Sequence, residues 1–180
     1  MIERGKTLVL GLGNPILGDD GVGWRAVEVF ESTFKDRLDQ PIEIDYLSVG
    51  GLSLMERLIG YNHAILVDAS FTGSLPSGYV SCFPLEQLPT SFQGHLSSSH
   101  DTTLQNAIAV GRKLGATLPG EIQIVTIEAE NIYEFSDQLS PAVSCAVQQA
   151  VEVIRNLISE GNSTPNTYPE ACRSEQSKNS

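Results

Sequence analysis

"KTLVLGLGNPILGDDGVGWRAVEVFESTF", residues Lys6 to Phe34, carries the pattern on which the fold turns. From Lys6 to Gly11 it is short and wholly apolar at its centre, as suits a strand buried on both faces of a parallel sheet. A loop follows, "LGNPILGDD" from Leu12 to Asp20. Beyond it Val22, Ala26, Val27 and Phe30 recur at helical spacing, so Gly21 to Phe34 reads as an amphipathic helix. The segment is thus a strand, a tight loop and a helix.

The same alternation continues outward. Ile42 to Leu47 reads as a strand, Leu52 to Leu58 as a helix, and His63 to Ala69 as a second apolar strand. Gly78 to Pro84 is a weaker strand, placed at an edge because it ends in proline. Thr102 to Leu114 is a helix, Glu121 to Glu128 a strand, and Pro141 to Ile158 a long helix with proline at its start, where a missing N–H costs nothing. Strand and helix in turn imply an α/β fold, with a mostly parallel sheet and helices on both faces. Residues 1–160 form one domain. From Gly161 the chain is polar, rich in Pro, Ser and Asn and without periodicity, the composition of a disordered tail.

Composition narrows the function. Lys and Arg number 11 against 22 Asp and Glu, a net charge of −11. That balance argues against nucleic-acid binding, which needs clustered cations, and against anionic membrane surfaces. No apolar run reaches the roughly 18 residues of a membrane span. The start lacks the blocks of a secretory signal. Cys82, Cys145 and Cys172 are odd in number and widely spaced, as reduced thiols in a cytoplasmic protein would be.

"GLGNP" after the first strand invites a dinucleotide reading, but Ile16 stands where the third glycine belongs. Asp19 and Asp20 would also repel a pyrophosphate at the helix start. The glycines then serve a sharp turn. Two readings account for Asp19-Asp20: capping of the helix that follows, and binding of a cation that relieves repulsion between neighbouring carboxylates. Asp68 ends the apolar run "HAILVDAS", at the carboxyl edge where α/β sheets bind ligands; an Asx-turn is the plain alternative. His100 lies in "SSSHDTT", with Asp101 as the natural cap of the next helix, which leaves the imidazole free to project. His95 is a second choice, whereas His63 opens a strand at the wrong end. Two carboxylates and one imidazole make an incomplete coordination shell, open to ligands from a partner. There is no G-x-S-x-G elbow, and "DASFTG" lacks the Asp-Thr-Gly loop of pepsin-like proteases.

These residues together resemble the hydrogenase maturation endopeptidases. "VLGLGNPILGDDGVGWRAVE" (Val9 to Glu28) matches that family's opening strand, G-x-G-N loop, acidic pair and first helix. "ILVDA" (Ile65 to Ala69) matches its second acidic position, and "SSHDTTLQNAI" (Ser98 to Ile108) the segment with its histidine. "TIEAENIYEFSDQLSPAVSCAVQQAV" is similar to its closing strand and helix. The resemblance implies a three-layer α/β/α domain with a sheet of about five strands. It implies an endopeptidase that removes the C-terminal extension from the large-subunit precursor of a nickel-iron hydrogenase. Asp20, Asp68 and His100 would then contact nickel already installed in that client, and the nickel would serve as recognition element. Many members carry Glu where this chain has Asp20, one methylene shorter. Zinc or cadmium has the right donor preferences to occupy such a site adventitiously. The rival expectations are a nickel-dependent checkpoint or chaperone that binds the client without cutting it, and a nucleotide-binding domain.

Overall fold

The computed structural model describes residues 5–34, 37–38, 41–89, 92–97 and 102–160. Five strands, β1 (Thr7–Leu12), β2 (Ile42–Leu47), β3 (His63–Ser70), β4 (Val80–Pro84) and β5 (Glu121–Glu128), form one sheet in the order β2-β1-β3-β5-β4. The first four in that order run parallel, and β4 lies antiparallel to β5 at the edge. Four helices complete the fold: α1 (Val22–Phe34), α2 (Gly51–Arg57), α3 (Leu104–Lys113) and α4 (Pro141–Glu160). The α/β class, the mostly parallel five-stranded sheet and the edge position of β4 are as expected.

Strand alternation sorts the core into two layers. Val9, Ile65, Val67, Val125 and Ile127 pack under α1 and α4. Leu8, Leu10, Leu66, Ile122 and Ile124 face α2 and α3. Leu8, Leu10 and Leu66 are wholly buried. Each such side chain stabilises the fold by about 1.5–3 kcal/mol relative to exposure. Both faces of β1 and β3 are covered, which is why their sequences are continuous apolar runs.

Of the boundaries that differ from expectation, two bear on the site. α3 begins at Leu104 because Thr103 caps it, its Oγ1 accepting the Asn106 N–H at 3.3 Å; Asp101, the expected cap, lies outside the described residues. β3 continues to Ser70, so Asp68 sits within the strand and no Asx-turn explains it. The tail from Gly161 also lies outside the described residues, and no described helix is long and apolar enough to cross a membrane.

At the outer strand β2, Glu43 accepts from Lys6 Nζ and from the Arg57 guanidinium, each at 2.7 Å. The hydrogen bonds from Lys6, Tyr61 and Arg57 pull its pKa from 4.5 down to about 2. A depressed carboxylate contributes stability above its unfolded pKa, and that contribution is lost as pH falls through the folded value. Acid destabilisation between pH 4.5 and about 2 should therefore be shallower in Glu43→Gln. Carboxyl-resolved NMR should place the Glu43 midpoint near the lower of those values; a midpoint above about 4, close to an unperturbed Glu, would contradict the assigned contacts.

Candidate active site

In β2-β1-β3 the chain steps from β1 outward to β2 and then returns across β1 to β3. The segments leaving β1 and β3 diverge there, and the carboxyl ends of those strands open a crevice of the kind in which α/β proteins bind ligands. Asp20 enters it from a 3-10 turn, Gly18–Gly21, between β1 and α1. Asp68 enters it from β3.

The turn depends on glycine. Gly13 has φ of +127°, and a Cβ there would run into the carbonyl oxygen of Asp20. Only glycine tolerates that conformation and that approach together. The Asn14 N–H, donated to Asp20 Oδ2 at 2.7 Å, then fixes the carboxylate and leaves Oδ1 toward the crevice.

The acidic pair divides its labour. Asp19 is fully buried. Its Oδ1 accepts the Ser140 N–H at 2.6 Å, and its Oδ2 accepts the N–H groups of Glu130 (3.3 Å) and Asn131 (3.1 Å). Ser140 immediately precedes α4, so Asp19 sits at the N-terminus of α4, where a negative charge is favourable. Of the two readings of this pair, capping of α1 is corrected accordingly: the hydrogen bonds of both carboxylates go elsewhere. Asp19 is a staple, and Asp20 is the carboxylate that faces the crevice.

The third group is a histidine. His95 opens a short 3-10 turn, His95–Ser97, anchored beneath the site by buried Phe92 and Leu96. Its Nδ1 lies 3.3 Å from Asp68 Oδ1 and 3.8 Å from Asp20 Oδ1. The Leu96 N–H donates to Asp68 Oδ2 at 3.3 Å. Gly94 permits this approach, since a Cβ there would stand 2.9 Å from Asp68 Oδ2 and 2.7 Å from the carbonyl oxygen of Ala69. Asp68 is the floor of the site, at 0% side-chain exposure, while Asp20 and His95 are 14% and 20% exposed at its mouth.

Burial raises the Asp20 pKa, against the pull of His95 and the Asn14 N–H, and the charge of Asp68 adds to it. Burial disfavours the His95 cation, but the hydrogen bond and charge of Asp68, with Asp20 behind, outweigh it and raise the imidazole pKa. Two desolvated carboxylates that share one imidazole are short of positive charge. Their oxygen and nitrogen donors suit a divalent transition metal, although among the described residues no three side chains form a ready-made cage.

Of the expected site residues, the structure brings Asp20 and Asp68 together. His100 lies outside the described residues. His63 is at the opposite edge, paired with Glu121 at 3.6 Å. One further buried acid, Glu128 at the end of β5, was not singled out from the sequence. Its oxygens accept from Ser70 Oγ (2.8 Å), the Thr72 N–H (2.8 Å), Thr72 Oγ1 (2.8 Å) and the Gly73 N–H (2.9 Å). Glu128 therefore fastens the loop after β3. The only sequence signal was a charged residue closing the apolar run "IVTIE".

Comparison with known proteins gives this geometry its context. The family model of the hydrogenase maturation proteases matches residues 34–157. The hydrogenase 2 maturation protease of Escherichia coli (strain K12) is 26% identical over 155 residues, covering 86% of this chain and 92% of that protein. The hydrogenase expression/formation protein HupD of Rhodobacter capsulatus is 28% identical, covering 84% of this chain and 71% of its own. Among solved structures, the E. coli hydrogenase maturating endopeptidase HybD superposes with a TM-score of 0.71 at 27% identity, covering 87% of this chain and 94% of that one. The [NiFe] hydrogenase maturation protease HybD from Thermococcus kodakarensis gives 0.63 at 27% identity, covering 86% and 99%. The chain belongs to the hydrogenase maturation protease family, hydrolases that process the large subunit of nickel-iron hydrogenases.

Proposed function

We propose that this cytoplasmic protein removes the C-terminal extension of a large-subunit precursor only after nickel has been installed, with Asp20, Asp68 and His100 as the residues that meet the client's nickel. The observation that carries the reading is the pair of desolvated carboxylates, Asp20 and Asp68, converging at the switch point of the sheet. Nickel is here part of the substrate. Docked against these donors, it fixes the register of the client chain. A cation also polarises a neighbouring carbonyl and acidifies its bound water, the two changes that amide hydrolysis needs. Asp68, held by the Leu96 N–H and His95, is a fixed oxygen donor, and Asp20 the more exposed one.

The geometry favours a second reading for the imidazole. His95 already touches both carboxylates' oxygens within 3.8 Å, so it is either the nickel-facing ring or the group that positions Asp68. Intact-mass analysis of precursor, nickel-loaded and nickel-free, separates the possibilities. The expected result is loss of a C-terminal peptide from the nickel-loaded form alone. His100→Ala should then lose both cutting and nickel-dependent binding, while His95→Ala should slow cutting and retain binding. Loss of binding in His95→Ala alone would move the ligand role to His95. Nickel-dependent binding without release of any peptide would favour the checkpoint protein over the protease.

A further inference from the structure

Between β5 and α4 runs "ENIYEFSDQ", residues 130–138, a strap beside the Asp20 loop. It exposes Tyr133 by 80% and Phe135 by 82%, in a chain that buries Phe30, Tyr61 and Phe92 almost completely. The strap is nonetheless held at both ends. The carboxylate of Asp19 takes the N–H groups of Glu130 and Asn131, and the Asp19 N–H donates to Asn131 O at 2.9 Å. Further on, Gly18 N–H donates to Ser136 O (2.8 Å) and Ser136 N–H to Ile16 O (3.1 Å), a parallel bridge of Leu17 with Ser136. That register brings Ile16, itself 56% exposed, level with Phe135.

Charge surrounds these rings. Glu130, Glu134 and Asp137 are all exposed, and among the described residues none of them pairs with a cation. Alongside lies a small open cleft whose lining includes Pro15, Trp24 and Leu139, with Asp137 and Glu28 among its acidic members. Glu28 is paired with Arg25 at 3.1 Å, which leaves Asp137 as the unneutralised charge. Gly18 and Gly21, which flank the acidic pair, also line the cleft, so it borders the loop that carries Asp20.

We propose that the strap and cleft are the docking surface for an extended segment of the client in which basic side chains stand beside apolar ones. The assignment rests on reading the chain as a client-processing protease. Apolar side chains cover Ile16, Tyr133 and Phe135, each aromatic offering a large contact area. Cationic side chains meet Glu130, Glu134 and Asp137, and an Arg or Lys over an exposed ring gains further attraction. A second copy of this chain is a poor occupant, because it would set its own three carboxylates and net charge of −11 against the same.

Hydroxyl-radical footprinting of the full-length protein, with and without nickel-loaded large-subunit precursor, reads the two rings directly. Tyr133 and Phe135 should be oxidised readily in the free protein and protected on adding precursor. Protection in a free dimer would assign the surface to a second copy, and protection in the free monomer to the chain's own terminal segment; either overturns the proposal. In parallel, Y133S/F135S and E134K/D137K should raise KM for the precursor by about tenfold or more with kcat within about twofold, the mark of binding lost away from the reacting bond. The charge variant should also lose most of its salt dependence. An unchanged KM in both variants would overturn the docking surface while leaving the protease reading intact. Failure of the unmodified protein to cut any nickel-loaded precursor would instead overturn the reading beneath it.

Discussion

Replacing Asp68 by Asn is expected to abolish processing of nickel-loaded precursor while leaving the protein folded. The substitution is nearly isosteric. The amide carbonyl still accepts the Leu96 N–H that Asp68 Oδ2 now takes at 3.3 Å, and the surrounding strand remains buried. What disappears is one of two negative charges in a desolvated site, the one at its floor. Removal of a group that merely orients a metal ligand costs about 10–100-fold in affinity or activity, so loss of the proposed nickel ligand itself should cost at least about 100-fold. Loss of a charge that Asp20 opposes removes a repulsion, so thermal unfolding should stay within a few degrees of the unmodified protein. Initial rates of peptide release, followed by mass, decide the matter. Cutting at the normal rate by the Asp68→Asn enzyme would remove Asp68 from the site. Asp20→Glu is the informative companion: its reach is one methylene longer, and retained cutting would show that the Asn14 contact adjusts to it.

Much of this fold could be read from the chain because its signals are local. β1 and β3 lie between helices on both faces, so they announce themselves as short apolar runs, whereas α1 shows its buried stripe through Val22, Ala26, Val27 and Phe30. The antiparallel seat of β4 on β5 depends on the chain passing from β3 beyond the position of β5, and leaves no local mark beyond the terminal Pro84. The same distinction governs the site. Asp20 and Asp68 could be placed at one edge from strand order alone. The partition between Asp19 and Asp20 could not, because the carboxylate oxygens of Asp19 accept from N–H groups more than a hundred positions away, at Glu130, Asn131 and Ser140. Its proximity to α1 in sequence suggested the wrong helix. His95 was visible only as one of three histidines; what distinguishes it is Gly94, which lets the chain pass against the Asp68 carboxylate.

Asp19→Ala is expected to lower the free energy of unfolding by about 4 kcal/mol, the largest single loss among the site's neighbours. The mutation strands three backbone N–H groups, those of Glu130, Asn131 and Ser140, in a place where the carboxylate itself is wholly buried. Each unsatisfied donor costs about 1–3 kcal/mol, and water entering the vacated space would recover part of that. Loss of the charge at the start of α4 adds up to about 1 kcal/mol. Asp19→Asn should be intermediate, because its carbonyl satisfies some donors while its amide confronts the others. Urea unfolding gives the magnitude. Native-state hydrogen exchange gives the location: protection at Glu130, Asn131 and Ser140 should fall far more than protection in β1 or β3. A loss below about 1 kcal/mol, or a uniform fall in protection, would mean that the strap is held by the Leu17–Ser136 bridge and not by Asp19. If the staple is as described, the Asp20 loop and the exposed Tyr133–Phe135 strap move as one unit. Buried Asp19 would then set the distance between the proposed docking surface and the proposed site at Asp20 and Asp68.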